Sequence, residues 1–95
     1  MNFFPTPLRE RQISYERGAA TYKLFSKENK TKTNETAITY SIMVETLCGD
    51  EKESEIVDEV ASDFEKANKI FEIFANELVL PGTAKDVLEY LDNLE

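Results

Sequence analysis

The stretch TAITYSIMVETL, from Thr36 to Leu47, decides the fold of this chain. Apolar side chains occupy every second position from Ile38 to Val44, and Thr39, Ser41, Met43 and Glu45 alternate with them. A period of two residues is that of a β-strand, in which successive side chains point to opposite faces. The stretch therefore predicts a strand with one face toward the core.

Shorter alternating segments flank this strand on both sides. Residues 9–15 alternate weakly, and residues 20–28 alternate with aromatic side chains at Tyr22 and Phe25 on opposite faces. On the other side, Gly49 lies at a turn, and Ile56, Val57 and Val60 indicate a further strand. Because the connections are short, we expect an antiparallel meander of three to four strands over residues 11–60.

The C-terminal third of the chain has helical periodicity. Apolar residues from Phe64 to Leu78 recur at spacings of three and four, and Ser62 with Glu65 forms a capping-box pattern, so a helix is predicted over 62–79. Pro81 and Gly82 interrupt it, and a second helix is predicted over 83–93 with its apolar face continuing to Leu94. The fold class is therefore α+β, with two C-terminal helices packed on one face of the sheet.

Length and composition limit the protein further. Ninety-five residues make one domain, here 1–95, with residues 1–8 as an extended arm because Pro5 and Pro7 exclude a helix. The formal net charge of −8 argues against a direct nucleic-acid contact or a polybasic membrane anchor. No stretch is long and apolar enough for a membrane helix, and the single Cys suits a reducing compartment, so we expect a cytoplasmic protein.

Catalytic and cofactor motifs are missing from the sequence. The chain has no His to act as a base for a nucleophile, and its three Gly are isolated, so no phosphate-binding loop is present. Cys48 stands close to Asp50 and Glu51, which disfavour a thiolate and predict an inert turn cysteine. We therefore expect no enzyme and no cofactor.

An acidic cluster follows the Gly49 turn. It extends from Asp50 to Glu59, and its candidate surface residues are Glu53, Glu55, Asp58 and Glu59. The spacing does not match a calcium-binding loop, because Lys52 and Ala61 stand at the third and twelfth positions counted from Asp50. No metal site is therefore predicted. The cluster is interpreted as a solvated strand edge or, alternatively, as a mimic of nucleic-acid phosphates.

The strands carry apolar side chains on both faces, and one layer of helices covers only one face. The apolar residues of the other face are the candidates for an interaction surface. Phe25 and Met43 lie on the strand faces opposite Tyr22 and Ile42, where a single helical layer does not reach. Phe3 and Phe4 in the N-terminal arm are candidates to cover this face, within the same chain or in a partner. The candidate interaction residues are thus Phe3, Phe4, Phe25 and Met43.

The order of five segments resembles a family of small proteins from clostridia and related Firmicutes that is described only as a domain of unknown function. The segments, which span residues 20–92, are Tyr22-Lys-Leu-Phe, Ala37-Ile-Thr-Tyr-Ser-Ile-Met-Val-Glu, Ile56-Val-Asp-Glu-Val-Ala-Ser-Asp, Asn76-Glu-Leu-Val-Leu-Pro and Asp86-Val-Leu-Glu-Tyr-Leu. The resemblance implies a bacterial, cytoplasmic α+β domain and supplies no catalytic or binding residues.

Together these features predict a small non-enzymatic interaction or regulatory module. Its partner is an unidentified protein, with a second copy of the chain as one option. The alternative is an acidic mimic that inhibits a basic DNA- or RNA-binding protein. A minor enzymatic or metal-dependent role of the acidic cluster ranks third.

Overall fold

A computed structural model describes residues 6–30, 33 and 35–93 of the chain. It contains four strands and two helices in the order β1 (Arg9–Tyr15), β2 (Gly18–Lys30), β3 (Thr36–Cys48), β4 (Glu51–Ala61), α1 (Phe64–Asn76) and α2 (Ala84–Asn93). The strands form one sheet in sequence order, and every neighbouring pair is antiparallel. The α+β prediction of a meander followed by two helices is confirmed.

Two glycines permit the close turns of the meander. Gly49 has φ of 64° and, with Asp50, links β3 to β4 in two residues, the position that glycine takes in a type II′ turn. Gly18 begins β2 where the chain passes close to β3, and a Cβ atom there would overlap the carbonyl oxygen of Leu47. The sheet therefore requires glycine at both places, for different reasons.

A bulge in β4 changes the register of the sheet. Ile42 pairs with Val57 and Tyr40 pairs with Ala61, so three residues of β4 lie opposite Ser41 alone. Glu59, in the middle of the bulge, has φ of 55°. The irregularity leaves both Val57 and Val60 buried, although their spacing of three does not fit a regular strand.

The core lies between one face of the sheet and the two helices. Helix α1 packs across β2, β3 and β4, and α2 packs against β4. Tyr22 is fully buried, and its hydroxyl donates a hydrogen bond of 2.9 Å to the carbonyl of Val79, just after α1. The core consists of Ala20, Tyr22, Leu24, Ile42, Val44, Val57, Val60, Ala67, Ile70, Phe71, Phe74, Ala75, Val79 and Ala84.

Both ends of α1 differ from their predicted positions. The N-cap is Asp63, whose carboxylate accepts from the backbone N–H of Lys66 at 3.1 Å, so the prediction of Ser62 as the cap is wrong by one residue. At the other end Val79 donates to Phe74 and Leu78 donates to Ala75. These two bonds form a Schellman motif with Leu78 at φ 51°, and they end the helix three residues before the predicted boundary.

A turn at Pro81 and Gly82 separates the helices, as predicted. Gly82 has φ of 93°, and its N–H donates to Oε1 of Glu55 on β4 at 3.1 Å. The carbonyl of Thr83 accepts from Val87 at 3.0 Å, the first turn of α2. Leu94, the last residue of the predicted apolar face, lies outside the described residues.

Candidate interaction surface

The sheet has one face in the core and one face that contributes no side chain to it. The register places Ile13, Ala20 and Thr46 side by side on the face that meets the helices. The core residues Tyr22, Leu24, Ile42, Val44 and Val57 lie on the same face. The alternate residues of all four strands point the other way. We call this second surface the open face. Its members are Leu8, Glu10, Gln12, Ser14, Ala19, Thr21, Lys23, Phe25, Lys27, Thr39, Ser41, Met43, Glu45, Leu47, Lys52, Ser54, Ile56 and Asp58.

Apolar side chains form the middle of the open face. Met43 lies directly opposite Ile56 on β4, and Phe25 is a diagonal neighbour of Met43 on β2. Leu8 extends the pairing of β1, since its N–H donates to the carbonyl of Leu24 at 2.7 Å. The register thus places the two candidates, Phe25 and Met43, next to each other on one surface. Both are half-buried.

Three further apolar residues of this face were not among the candidates. Leu8, Leu47 and Ile56 are 47%, 50% and 55% exposed. Ile56 is one of the three apolar residues by which the sequence predicts the last strand. Assigning it to the open face, however, needs the register of β4 against β3, which sequence alternation alone does not supply. The remaining candidates, Phe3 and Phe4, lie outside the described residues.

Charged side chains lie beside and around the apolar residues in balanced numbers, and Lys23 is directly opposite Met43. Glu10 lies directly opposite Lys23, and Glu45 forms an ion pair with Lys52 at 3.9 Å. Lys27 and Asp58 complete the set, and Oδ1 of Asp58 also accepts from the hydroxyl of Ser41 at 3.0 Å. Three acidic and three basic residues make the open face neutral on a chain whose net charge is −8. The acidic excess therefore lies on the other surfaces of the molecule.

A shallow depression of about 200 Å³ lies at one end of the open face, next to the Gly18 and Gly49 turns. Its lining combines the aliphatic side chain of Leu47 with the polar groups of Gln12, Thr21 and Glu45.

The four candidate acidic residues do not form one surface. Glu53 and Glu55 pair with Thr46 and Val44, which places them on the helix side of β4. Asp58 belongs to the open face, and Glu59 lies at the bulge. Among the described residues, moreover, no three Asp, Glu, Cys or His side chains are grouped so as to hold a metal ion. The carboxylates of β4 are thus distributed along a strand edge and not gathered at a site.

A second apolar surface lies between the helices. A groove of about 550 Å³ runs between the end of α1 and α2, and it is lined by Ile73, Leu78, Leu80, Val87, Tyr90 and Leu91 with their polar neighbours. Tyr90 is 64% exposed and Leu80 is 41% exposed. Tyr90 is not among the residues selected from the sequence, because a helical stripe shows which side faces the sheet and not which side chains remain uncovered.

Cys48 is paired with an aromatic hydroxyl at the end of the sheet. The Tyr15 hydroxyl and Sγ of Cys48 form a hydrogen bond of 3.3 Å. This bond joins β1 to β3 across the start of β2, next to Gly18. The hydrogen bond with Cys48, followed by burial, raises the pKa of Tyr15 above its ordinary value. The thiol is half-buried at the last residue of β3, and its contact with the phenol gives it a structural role in the described fold.

Arg11 fixes the outer strand to the helical layer. Its guanidinium donates to Oε2 of Glu72 at 2.9 Å and to Oδ1 of Asn76 at 3.1 Å, both on α1. The pair is well exposed, so its contribution to stability is small. Its geometric effect is to hold the Arg11 side chain on the helix side, away from the open face.

In the described part of the chain, neither helix has the length and apolar content needed to cross a bilayer. Comparison of the chain with protein-family models, with curated proteins and with solved structures gives no match. The resemblance to the clostridial family stays a prediction.

Proposed function

We propose that this protein is a small non-enzymatic interaction module that binds a protein partner through the open face, in the cytoplasm of a bacterium. The observation that supports it is the cross-strand cluster of Phe25, Met43 and Ile56 on a face whose charges cancel, with Lys23 directly opposite Met43. Protein interfaces combine an apolar centre with polar side chains around it. The proposal assigns no catalytic residue, cofactor or metal to the chain.

The geometry favours this function over nucleic-acid mimicry. A mimic presents carboxylates in one array to a basic protein, whereas Glu53 and Glu55 are on one side of β4 and Asp58 is on the other. Glu55 is moreover engaged in the turn between the helices through its bond to Gly82. Apolar burial, and not charge, is therefore expected to supply most of the binding free energy.

The proposal is tested by comparing one apolar-to-acidic change on each apolar surface. Met43→Glu places a carboxylate at the centre of the open face, and Tyr90→Glu places the same group in the interhelical groove as a matched control. Tagged wild-type and variant proteins are used to retain partners from a nuclease-treated bacterial lysate, with washes at low and high salt.

The expected result is a partner that withstands the high-salt wash, is lost with Met43→Glu and is kept with Tyr90→Glu. Apolar contacts are weakened little by salt, whereas contacts between exposed charges are screened. A basic partner that is lost at high salt and unaffected by Met43→Glu would support the mimic instead. Loss of binding with Tyr90→Glu alone would assign the function to the groove.

A further inference from the structure

The area of the open face indicates what kind of partner can cover it. Four strands about 4.8 Å apart and about 30 Å long present a flat area of about 600 Å², close to the roughly 800 Å² per partner of a standard interface. Apolar side chains that lie together on such a face mark an interaction site. The face is thus large enough for a specific protein contact without help from the rest of the molecule.

The charge of the face indicates which kind of protein fits it. A basic partner would be matched by an acidic surface, and an acidic partner by a basic one. The open face is neither, since Glu10 faces Lys23, Glu45 pairs with Lys52, and the remaining pair also cancels. Neutrality is what two copies of the same acidic chain require, because any net charge on a face that meets itself would repel.

The β4 edge of the sheet is a poor site for the same association. On β4 the helix-side positions Glu51, Glu53 and Glu55 place three carboxylates along one edge. A second acidic strand added there would bring like charges opposite one another, which is a known protection against edge-to-edge pairing. Association of two copies through the faces avoids this repulsion.

We propose that the occupant of the open face is a second copy of this chain. Two open faces pack against each other around a two-fold axis, which buries Phe25, Met43 and Ile56 of both copies between two sheets. Sheets packed face to face lie about 10 Å apart with interdigitated side chains, so the dimer has four layers, with helices outside and sheets inside. This inference rests on the proposed function and specifies its partner.

The mass of the full-length protein in solution tests the proposal. Light scattering after size-exclusion chromatography, from about 1 µM to about 100 µM, is expected to give twice the 10.9 kDa of one chain at the upper concentrations. Met43→Glu is expected to raise the dimer dissociation constant by about 100-fold or more, because each copy then buries a carboxylate in place of an apolar side chain and the two meeting faces both become negative. Tyr90→Glu is expected to leave it unchanged.

A second variant keeps the test informative if Met43→Glu unfolds the chain. Lys23→Glu changes the charged neighbour of Met43 on β2 and leaves the apolar side chains in place. It turns a neutral face into one that carries an excess of two negative charges in each copy. Its dissociation constant is expected to rise, and to fall again as salt is added. Circular dichroism of each variant establishes that the fold is retained.

Several results would overturn the second copy as occupant. One is a wild-type chain that is monomeric at about 100 µM, and another is a dimer dissociated by Tyr90→Glu and not by Met43→Glu. A monomer that dimerises when Phe3 and Phe4 are both changed to Ser would show the N-terminal segment to be the occupant. If a monomeric chain still retains a lysate partner that Met43→Glu abolishes, the proposed function stands and only the second copy is rejected.

Discussion

Removing the hydroxyl of Tyr22 tests the packing of the sheet on the helical layer. The side chain is fully buried, and its hydroxyl is bonded at 2.9 Å to the carbonyl of Val79, which is 6% exposed. Tyr22→Phe keeps the ring and leaves that carbonyl without this donor in a site that water does not reach. The bond joins β2 to the Schellman turn of α1, so its loss affects the junction of the two layers.

The size of the effect follows from the burial of both partners. A hydrogen bond contributes about 1 kcal/mol net, and an unsatisfied buried acceptor costs about 1–3 kcal/mol. In a domain of this length each kcal/mol lowers Tm by about 4–8 °C. We therefore expect Tyr22→Phe to reduce the free energy of unfolding by about 1–3 kcal/mol, with an unchanged dependence on denaturant.

Urea denaturation followed by circular dichroism measures this change. Both proteins are compared at one concentration, because self-association would add a concentration-dependent term. Tyr90→Phe is the matched control, since it removes the same atom from a side chain that is 64% exposed. A Tyr22→Phe protein within about 0.5 kcal/mol of wild type, like an ordinary surface variant, would show that this hydrogen bond does not hold the two layers together.

Three more predictions concern the backbone and pH. Gly18→Ala is expected to cost about 3 kcal/mol or more, because its Cβ overlaps the carbonyl oxygen of Leu47. Gly49→Ala, strained only through its φ of 64°, is expected to cost about 1–2 kcal/mol; urea curves compare the two, and equal losses would contradict the close approach at Gly18. Because Glu59 has φ of 55°, Glu59→Gly is expected to raise the free energy of unfolding by up to about 1 kcal/mol, and Glu59→Val is expected to lower it. Urea curves measure both, and a valine variant more stable than the glycine variant would contradict the left-handed backbone at the bulge. Burial raises the pKa of Tyr22 from 10.0 to about 12, so the contribution of its protonated hydroxyl to stability is complete below pH 10 and is lost as pH rises through 12. Between these pH values the Tm of Tyr22→Phe is expected to fall less steeply than that of wild type. Identical slopes would contradict a raised pKa of Tyr22.

Periodicity was sufficient to predict the layers of this fold. The alternation around Ile42 and the stripe through Phe71 each require one buried side, and only a sheet covered by helices satisfies both. Short turns at Gly18 and Gly49 then leave a meander as the simple connection. These features are local, and for that reason they are visible in the sequence.

The boundaries of α1 were less visible because competing signals overlap. Ser62 and Asp63 are both good N-cap residues, and the choice of Asp63 depends on which one reaches an N–H of the first turn. At the other end Leu78 adopts a left-handed conformation that usually indicates glycine. Its apolar side chain continues the helical stripe, so the periodicity does not show where the helix ends.

The open face could be predicted only in part. Phe25 and Met43 followed from alternation, because each lies next to core residues in its own strand and therefore points to the other face of the sheet. Ile56 and Leu8 join them through cross-strand register, and register is set by tertiary contacts and by the bulge near Glu59. The neutrality of the face likewise depends on which charges share it, which net charge alone does not reveal.

The most direct test of the central claim is the accessibility of the Met43 methyl group. The chain has two methionines, Met1 and Met43, so methyl-labelled protein gives two signals that a Met43→Leu sample assigns. A water-soluble paramagnetic agent broadens methyl groups that solvent reaches. The Met43 signal is expected to be protected at high protein concentration and to broaden on dilution, as the two open faces separate. A Met43 signal that is equally accessible at every concentration would contradict the packing of two open faces.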